Sequence, residues 1–115
     1  MKNQNIQQLK ITKKEREGKV AVLYSPRFGT DWSSSVNDPI TRYNILFDSN
    51  IVNYVEEKNF VDLKIYMKMH YPDIFLDTIH YLEICWIQKG TIFKIEKSYG
   101  SETVKIIDKV DFIVA

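Results

Sequence analysis

The residues best suited to binding chemistry lie in one stretch, between positions 25 and 35. Arg27 carries a guanidinium that can bind a phosphate through two parallel hydrogen bonds, and Phe28 and Trp32 carry rings on which a base can stack. The stretch lacks the glycine-lysine-serine/threonine end of a Walker loop, so it is not a nucleotide site of that type. We predict a ligand- or partner-binding site that consists of Arg27, Phe28, Gly29, Thr30, Trp32, Ser33 and Ser34.

The two rings of this stretch also have a purely structural interpretation. A large apolar side chain gains free energy when it is buried, so a ring in a loop can serve to anchor the loop on the core. Phe28 and Trp32 would then be covered by the rest of the fold and unable to contact a ligand. The sequence alone does not choose between an anchored loop and a ligand-binding loop.

Other residues that could do chemistry are not spaced for it. His70 and His80 stand ten residues apart with Asp73 and Asp77 between them, which matches neither the paired-histidine helix motif nor a cysteine-rich zinc site. The chain has no Gly-x-Ser-x-Gly elbow, and Cys85 stands within an alternating strand, where we expect a buried structural thiol. We therefore predict no catalytic residue, no metal and no cofactor.

Length and charge limit the class of protein. A chain of 115 residues has the size of one domain, so we predict a single domain over residues 1–115. Its 16 basic and 15 acidic side chains nearly cancel, which excludes a strongly basic nucleic-acid binder such as a histone. One cysteine excludes an intramolecular disulfide. No apolar run approaches the roughly 20 residues of a membrane span and no signal peptide is visible, so we expect a soluble cytoplasmic protein.

The first elements that must position the loop are strands. Residues 19–25 are β-branched and almost wholly apolar, which predicts a central strand buried on both faces. Residues 6–12 are predicted to pair with it across the charged segment 13–18, where Gly18 can adopt a positive φ. Residues 26–43 follow as a long connection, and a connection of this length is usually either functional or mobile.

Helices and a second group of strands complete the predicted architecture. Asp48 can cap a helix that starts near residues 49–50, and a second helix over about 60–70 ends before Pro72. The last third alternates with a period of two, which predicts strands separated by turns at 88–90 and 98–100, over residues 82–87, 91–97, 102–107 and 111–114. We predict an α+β fold: an antiparallel or mixed sheet with a C-terminal β-meander, and two short helices packed on one face.

Three stretches of the chain together carry a resemblance to a known group of proteins. They are 20–26 with Gly29 and Trp32-Ser33; 46–48 with 51–52 and 55–56; and 82–84 with Trp86, Gly90-Thr91, 93–95 and 100–102. The chain resembles, over nearly its whole length after residue 18, a group of small hypothetical proteins of bacteriophages and prophages. That group has glycines where this chain has Arg27 and Asp31, which implies either altered ligand contacts or a loop that needs fewer tight turns.

The resemblance implies a biological setting and no reaction. Small phage proteins without an enzymatic signature tend to act by binding, so we expect a non-enzymatic accessory protein that binds and neutralises a host-defence component in the host cytosol. That component is either a nucleotide signal or a defence protein. The alternatives are a phosphate- or nucleotide-handling enzyme that uses the loop 25–35, and a virion or assembly protein. We also expect self-association into a dimer or higher oligomer, through an exposed apolar patch or an open sheet edge.

Overall fold

Residues 11–107 are described by the computed structural model, and they combine helices with antiparallel strands, which confirms the predicted α+β fold class. Short 3-10 helices cover Ser33–Ser35 and Leu76–Tyr81. The strands and α-helices in chain order are β1 (Glu15–Arg16), β2 (Lys19–Tyr24), α1 (Pro39–Phe47), α2 (Ser49–Glu57), α3 (Phe60–His70), β3 (Glu83–Gln88), β4 (Phe93–Ser98) and β5 (Ser101–Ile106).

β1 and β2 form a hairpin with a two-residue turn. Both turn residues have positive φ, 53° at Glu17 and 79° at Gly18, as a type I′ turn requires, so the predicted positive φ of Gly18 is confirmed. The predicted partner strand 6–12 lies mostly outside the described residues. Within them, Glu15 and Arg16 pair with β2, so the long turn predicted over 13–18 was wrong. A two-residue turn lets the charged residues beside it continue the ladder.

β2 is the central strand of a three-stranded antiparallel sheet with the order β1-β2-β3. Ala21 and Leu23 face one hydrophobic cluster, which contains the helices' buried side chains, whereas Val20 and Val22 face a second cluster that includes Phe47. A strand covered on both faces has to be apolar at successive positions, which explains the predicted continuous apolar run.

α1 begins at Pro39, inside the connection predicted over 26–43, so the predicted end of that connection was wrong. The Asp38 side chain accepts a hydrogen bond from the Thr41 backbone N–H at 3.1 Å, and Pro39 is the first helical residue. Aspartate before proline is a strong helix start, because the carboxylate caps a free amide and proline has no N–H to satisfy. The end of the predicted connection is therefore a helix N-terminus.

The other two helices lie where the sequence predicted them. Asp48 caps α2 by accepting a hydrogen bond from the Asn50 backbone N–H at 2.9 Å, and the inward-facing residues Ile51, Val52 and Val55 are buried. α3 ends at His70, two residues before Pro72. No helix in residues 11–107 is long and apolar enough to cross a membrane.

The last third of the described chain forms one sheet strand and a separate hairpin. β3 pairs with β2, with Cys85 opposite Val22, while β4 and β5, among the strands of residues 11–107, pair only with each other, across the turn at Tyr99 and Gly100. The hairpin packs its Phe93, Ile95 and Val104 side chains against the second cluster. β3 and β4 are therefore not paired in the described sheets, and packing together with hydrogen bonds to residues 25–34 holds the hairpin on the rest of the fold. The predicted strand at 111–114 lies outside the described residues.

Candidate functional site

The loop between β2 and α1 is attached to the turn of the β4–β5 hairpin. The backbone N–H of Gly29 donates to the Tyr99 carbonyl, and that of Thr30 donates to the Gly100 carbonyl, each at 3.1 Å. The Ser101 hydroxyl donates to the Pro26 carbonyl at 2.6 Å. Backbone hydrogen bonds to a hairpin turn leave the loop little conformational freedom, so its exposed side chains project from a fixed base.

One buried carboxylate organises the inner side of this loop. Glu102 is 1% exposed, and its Oε1 atom accepts a hydrogen bond from the Ser25 backbone N–H at 3.0 Å. Its Oε2 atom accepts from the backbone N–H of Trp32 at 2.8 Å, and from the Ser34 backbone N–H and hydroxyl at 2.9 and 2.5 Å. These donors take the place of water around the charge, which a buried carboxylate requires.

Sequence reasoning missed Glu102, although a signal for it existed. Side chains alternate between the faces of a strand, so Glu102 shares a face of β5 with Val104. Val104 packs against the second hydrophobic cluster, which means that this face is turned toward the protein. A glutamate on the inward face of an amphipathic strand indicates a buried carboxylate that needs donors from elsewhere in the chain.

Two glycines allow the loop and the hairpin turn to approach closely. Gly29 and Gly100 both have φ of 78°, in the left-handed region. A Cβ atom on Gly100 would lie 2.6 Å from the Gly29 Cα atom and 2.8 Å from its nitrogen, closer than van der Waals contact permits. Only glycine fits at position 100 without a backbone shift.

The predicted site residues divide into an exposed group and a buried group. Arg27, Phe28 and Gly29 are exposed, and Phe28 is 72% exposed. The remaining four are committed to the fold: the Thr30 hydroxyl donates to the Arg27 carbonyl at 2.6 Å, the Ser34 hydroxyl donates to Glu102, and Trp32 and Ser33 are buried. Ligand binding by these residues stays a prediction, and the accessible part of the set is residues 27–29.

The two rings that the sequence could not distinguish have opposite placements. Trp32 is 1% exposed, packs within the main hydrophobic cluster and donates its indole N–H to the Ile45 carbonyl at 2.9 Å. It anchors the loop, as the structural interpretation predicted. Phe28 lies at the surface, where its ring centroid is 6.2 Å from that of Tyr99. The anchoring interpretation therefore holds for Trp32 alone.

Two residues of the loop and two neighbouring tyrosines form a surface of one arginine and three aromatic rings. We call this group the ring surface: Arg27, Phe28, Tyr81 and Tyr99. The Arg27 guanidinium carbon lies 4.4 Å from the centroid of the Tyr81 ring, a cation–π distance. Tyr99 is 83% exposed at the tip of the hairpin turn. Exposed aromatic rings beside an arginine match the residue types that dominate binding energy in protein interfaces.

A groove with a volume of about 780 Å³ runs beside the loop. It lies between residues 29–41 and residues 70–78, and its described lining includes four aspartates and one histidine but no lysine or arginine: Asp31, Asp38, Asp73, Asp77 and His70. Hydrogen bonds from the hydroxyl and the backbone N–H of Thr41 lower the pKa of Asp38. Asp31 forms an ion pair with Lys97 at 3.1 Å. This ion pair offsets one of the four carboxylates, and the other three, Asp38, Asp73 and Asp77, give the groove wall an excess of negative charge that repels phosphate groups.

The histidines, the loop serines and the cysteine form no reactive arrangement within residues 11–107. His70 packs against Tyr66 and His80 against Phe60 in tilted arrangements, with ring centroids 4.5 and 4.7 Å apart. The described residues contain no group of three or more histidine, cysteine, aspartate or glutamate side chains that could hold a metal ion. Cys85, predicted to be a buried structural thiol, is half-buried and packs against the second hydrophobic cluster, because β3 lies at the edge of the described sheet, where fewer neighbours cover it.

Comparison of the chain with protein-family models, with curated proteins and with solved structures found no match in any of the three. The resemblance to phage and prophage proteins therefore stays a prediction that these comparisons do not test.

Proposed function

We propose that this protein acts by binding, without catalysis, and that the ring surface holds a partner protein. The observation that carries the proposal is the exposure of Phe28 and Tyr99, at 72% and 83%, on a loop and a turn that are hydrogen bonded to each other. Exposed rings lose little conformational entropy when a rigid base already orients them, so they are efficient anchors in an interface.

Two features support a protein partner over a nucleotide signal. Of the four aspartates that line the neighbouring groove, Asp31 is ion-paired with Lys97, and the other three would repel the phosphates of a nucleotide. Trp32, which would have been the best platform for stacking a base, is buried and hydrogen bonded to the Ile45 carbonyl. A nucleotide would have only Arg27 and the rings of the ring surface, whereas a protein partner can use the whole patch.

We place this binding activity in a biological setting on the strength of the resemblance alone. The protein is then a phage or prophage accessory protein that neutralises a host-defence protein in the cytosol. We also propose that it self-associates into a dimer or a higher oligomer. The sheet supports this second proposal: β3 pairs with β2 on one side, and in the described residues no strand pairs with its other side.

The first prediction tests the ring surface by truncation. Arg27→Ala, Phe28→Ala and Tyr99→Ala should each weaken binding of the captured partner about tenfold or more, with an almost unchanged melting temperature, because these side chains are exposed. The partner is first captured from host lysate on the immobilised wild-type protein and identified by mass spectrometry. Its affinity for each variant is then measured by calorimetry with the purified partner.

Val61→Ala and Ile65→Ala are the matched controls, because they remove exposed apolar groups from α3, outside the ring surface. Both should bind like the wild type. Trp32→Ala cannot serve as a binding variant, since truncation of a buried aromatic costs about 3–5 kcal/mol of stability. Equal binding by the wild type and all three ring-surface variants would contradict the proposal.

Three further measurements separate the alternatives. Calorimetry against cyclic and ADP-ribose-derived nucleotides, with recovery of intact ligand after heat denaturation, would indicate sequestration of a nucleotide signal. Loss of the nucleotide over time with catalytic amounts of protein would indicate an enzyme. Detection of the protein in purified virions by mass spectrometry would indicate an assembly role.

A further inference from the structure

The three-stranded sheet ends at β3 in the part of the chain that the structure describes. The half-buried state of Ile84, Cys85 and Trp86 agrees with a strand that has a neighbour on one side only. An open edge presents unpaired backbone N–H and C=O groups, which readily pair with an extended strand from another chain.

The hydrogen-bond pattern between β2 and β3 decides which residues of β3 direct their backbone N–H and C=O groups away from β2. The Lys89 backbone N–H donates to the Gly18 carbonyl at 2.9 Å, so the odd-numbered residues of β3 exchange hydrogen bonds with β2. The even-numbered residues, Ile84, Trp86 and Gln88, therefore direct their backbone N–H groups outward. The other side of β2 follows the same alternation: Ala21, which lies opposite Trp86, donates its backbone N–H away from β3, to the Lys14 carbonyl at 3.0 Å.

β3 lacks the features that usually protect an edge. Its sequence, EICWIQ, contains no lysine, proline or glycine, and it is rich in β-branched and aromatic residues. β4 carries the sequence FKIEKS, with two lysines and a glutamate, which is the charged composition of a protected edge. Of these two strands, β3 is the one suited to pairing with another chain.

We propose that β3 pairs antiparallel with β3 of a second copy of this chain, about a two-fold axis at Trp86. The two sheets then join into one continuous antiparallel sheet, and the interface is self-complementary as a two-fold dimer requires. This proposal rests on the self-association proposed above and names the surface that carries it.

Charge complementarity selects Trp86 as the centre. Because the even-numbered residues direct their backbone groups outward, hydrogen bonds between two copies of β3 are compatible with a two-fold axis at either Cys85 or Trp86. With the axis at Cys85, Glu83 lies opposite the apolar residue Ile87 of the second copy. With the axis at Trp86, Glu83 lies opposite Lys89 of the second copy, in a closely spaced pair, and symmetry repeats this ion pair. Glu83 and Lys89 are both exposed, and the Lys89 ammonium, which lies 3.2 Å from a Glu15 carboxylate oxygen of its own copy, then lies between two carboxylates. The edge is complementary to itself in this register alone.

The same register satisfies the outward backbone groups. Trp86 exchanges hydrogen bonds with its own symmetry mate, and the Ile84 backbone faces Gln88 of the second copy. The two indole rings become neighbours across the axis, each beside an Arg16 guanidinium, whose carbon lies 4.6 Å from the Trp86 ring within one copy. Aromatic cross-strand neighbours stabilise antiparallel pairs.

A charge-exchange experiment tests the proposal by sedimentation equilibrium from low to several hundred micromolar protein. The wild type should be a dimer at the upper concentrations, and Glu83→Lys should raise the dimer dissociation constant about tenfold or more, because it opposes like charges twice. Lys89→Glu should act in the same direction, and the double variant Glu83→Lys/Lys89→Glu should restore the wild-type constant. Glu57→Lys on α2 makes the same charge change away from the edge and should leave the constant unchanged.

The failures can be told apart. A monomer at all concentrations would overturn both self-association and the β3 interface. A dimer that Glu83→Lys does not weaken, or that the double variant does not restore, would overturn this interface while self-association stands. Rapid oxidation to a Cys85–Cys85 disulfide would overturn the Trp86 register, because only an axis at Cys85 brings these thiols directly opposite each other. Circular dichroism of every variant checks that the fold is retained.

Discussion

At the scale of single residues, the side chain that most determines the candidate site is Glu102, which no ligand would touch. Its carboxylate joins the end of β2 and the Trp32–Ser34 segment, two parts of the loop that would otherwise be free to separate. Hydrogen bonds to a buried charge are about twice as strong as neutral ones, and removal of the charge leaves the buried N–H groups without a full partner. The exposed position of Phe28 depends on this interior support.

Glu102→Gln should therefore lower the free energy of unfolding by about 2–4 kcal/mol, because the amide group has one acceptor oxygen and two donors among groups that all donate. Urea unfolding followed by circular dichroism measures the change. Glu96→Gln is the matched control in the same hairpin, where an exposed ion-pairing glutamate contributes at most about 1 kcal/mol. Equal losses in the two variants would show that Glu102 has no special role.

At the scale of elements, the β4–β5 hairpin supports the binding loop through close backbone approach. Gly100 occupies the turn between the two strands, and the Gly29 backbone rests directly against it. The loop and the turn thus move together, and Phe28 and Tyr99 keep their mutual distance because their backbones are joined. The ring surface is for this reason not a property of one loop: it combines the loop, the hairpin turn and, through Tyr81, the 3-10 helix Leu76–Tyr81.

Gly100→Ala should be strongly destabilising, by about 1–3 kcal/mol beyond the cost of its positive φ, because its Cβ atom would overlap the Gly29 backbone. Gly18→Ala measures the loss of stability that comes from the positive φ alone. Its φ of 79° is nearly the same as that of Gly100, and a Cβ atom there would meet no atom within 4 Å. Thermal unfolding of both variants measures the difference, and equal melting temperatures would show that the close approach is not present in solution.

At the scale of the whole molecule, a second buried carboxylate joins the helices. The Asp48 Oδ2 atom accepts hydrogen bonds from the hydroxyls of Tyr66 and Tyr71, at 2.7 and 2.8 Å, while Oδ1 caps α2. Burial and the adjacent Asp48 charge raise the pKa of both tyrosines above the ordinary value. Both phenols therefore hold their protons in the folded state at pH values where the unfolded chain loses them.

The stabilisation that these two tyrosines provide should consequently be complete below about pH 10, the pKa of an unperturbed tyrosine, and should fall as the pH rises above it. Each of the two tyrosines contributes a loss of up to about 1.4 kcal/mol per pH unit in that range. Tyr71→Phe should reduce the loss of unfolding free energy per pH unit above pH 10. It also lowers the stability at neutral pH, because it removes a hydrogen bond to a charge. Urea unfolding between neutral pH and pH 11 measures both effects, and an unchanged slope in the variant would contradict the assignment.

The sequence by itself determined the elements whose signals are local. The apolar run at β2, the Asp48 cap of α2, the extent of α3 and the glycine turns at positions 18 and 100 all follow from residues within a few positions of each other. The start of α1 was equally local, since aspartate followed by proline is a recognisable helix start, but its position inside a serine-rich connection concealed it.

Only the tertiary structure decided which of these side chains face solvent. Phe28 and Trp32 have the same character and stand four positions apart, yet one is exposed and the other buried, because Trp32 is held by Glu102 from 70 residues further along the chain. β3 pairs with β2 although more than half of the chain separates the two strands, and within residues 11–107 no strand pairs with its other edge. Local propensity depends on neighbours in sequence, whereas burial and strand pairing depend on neighbours in space, which only the folded chain brings together.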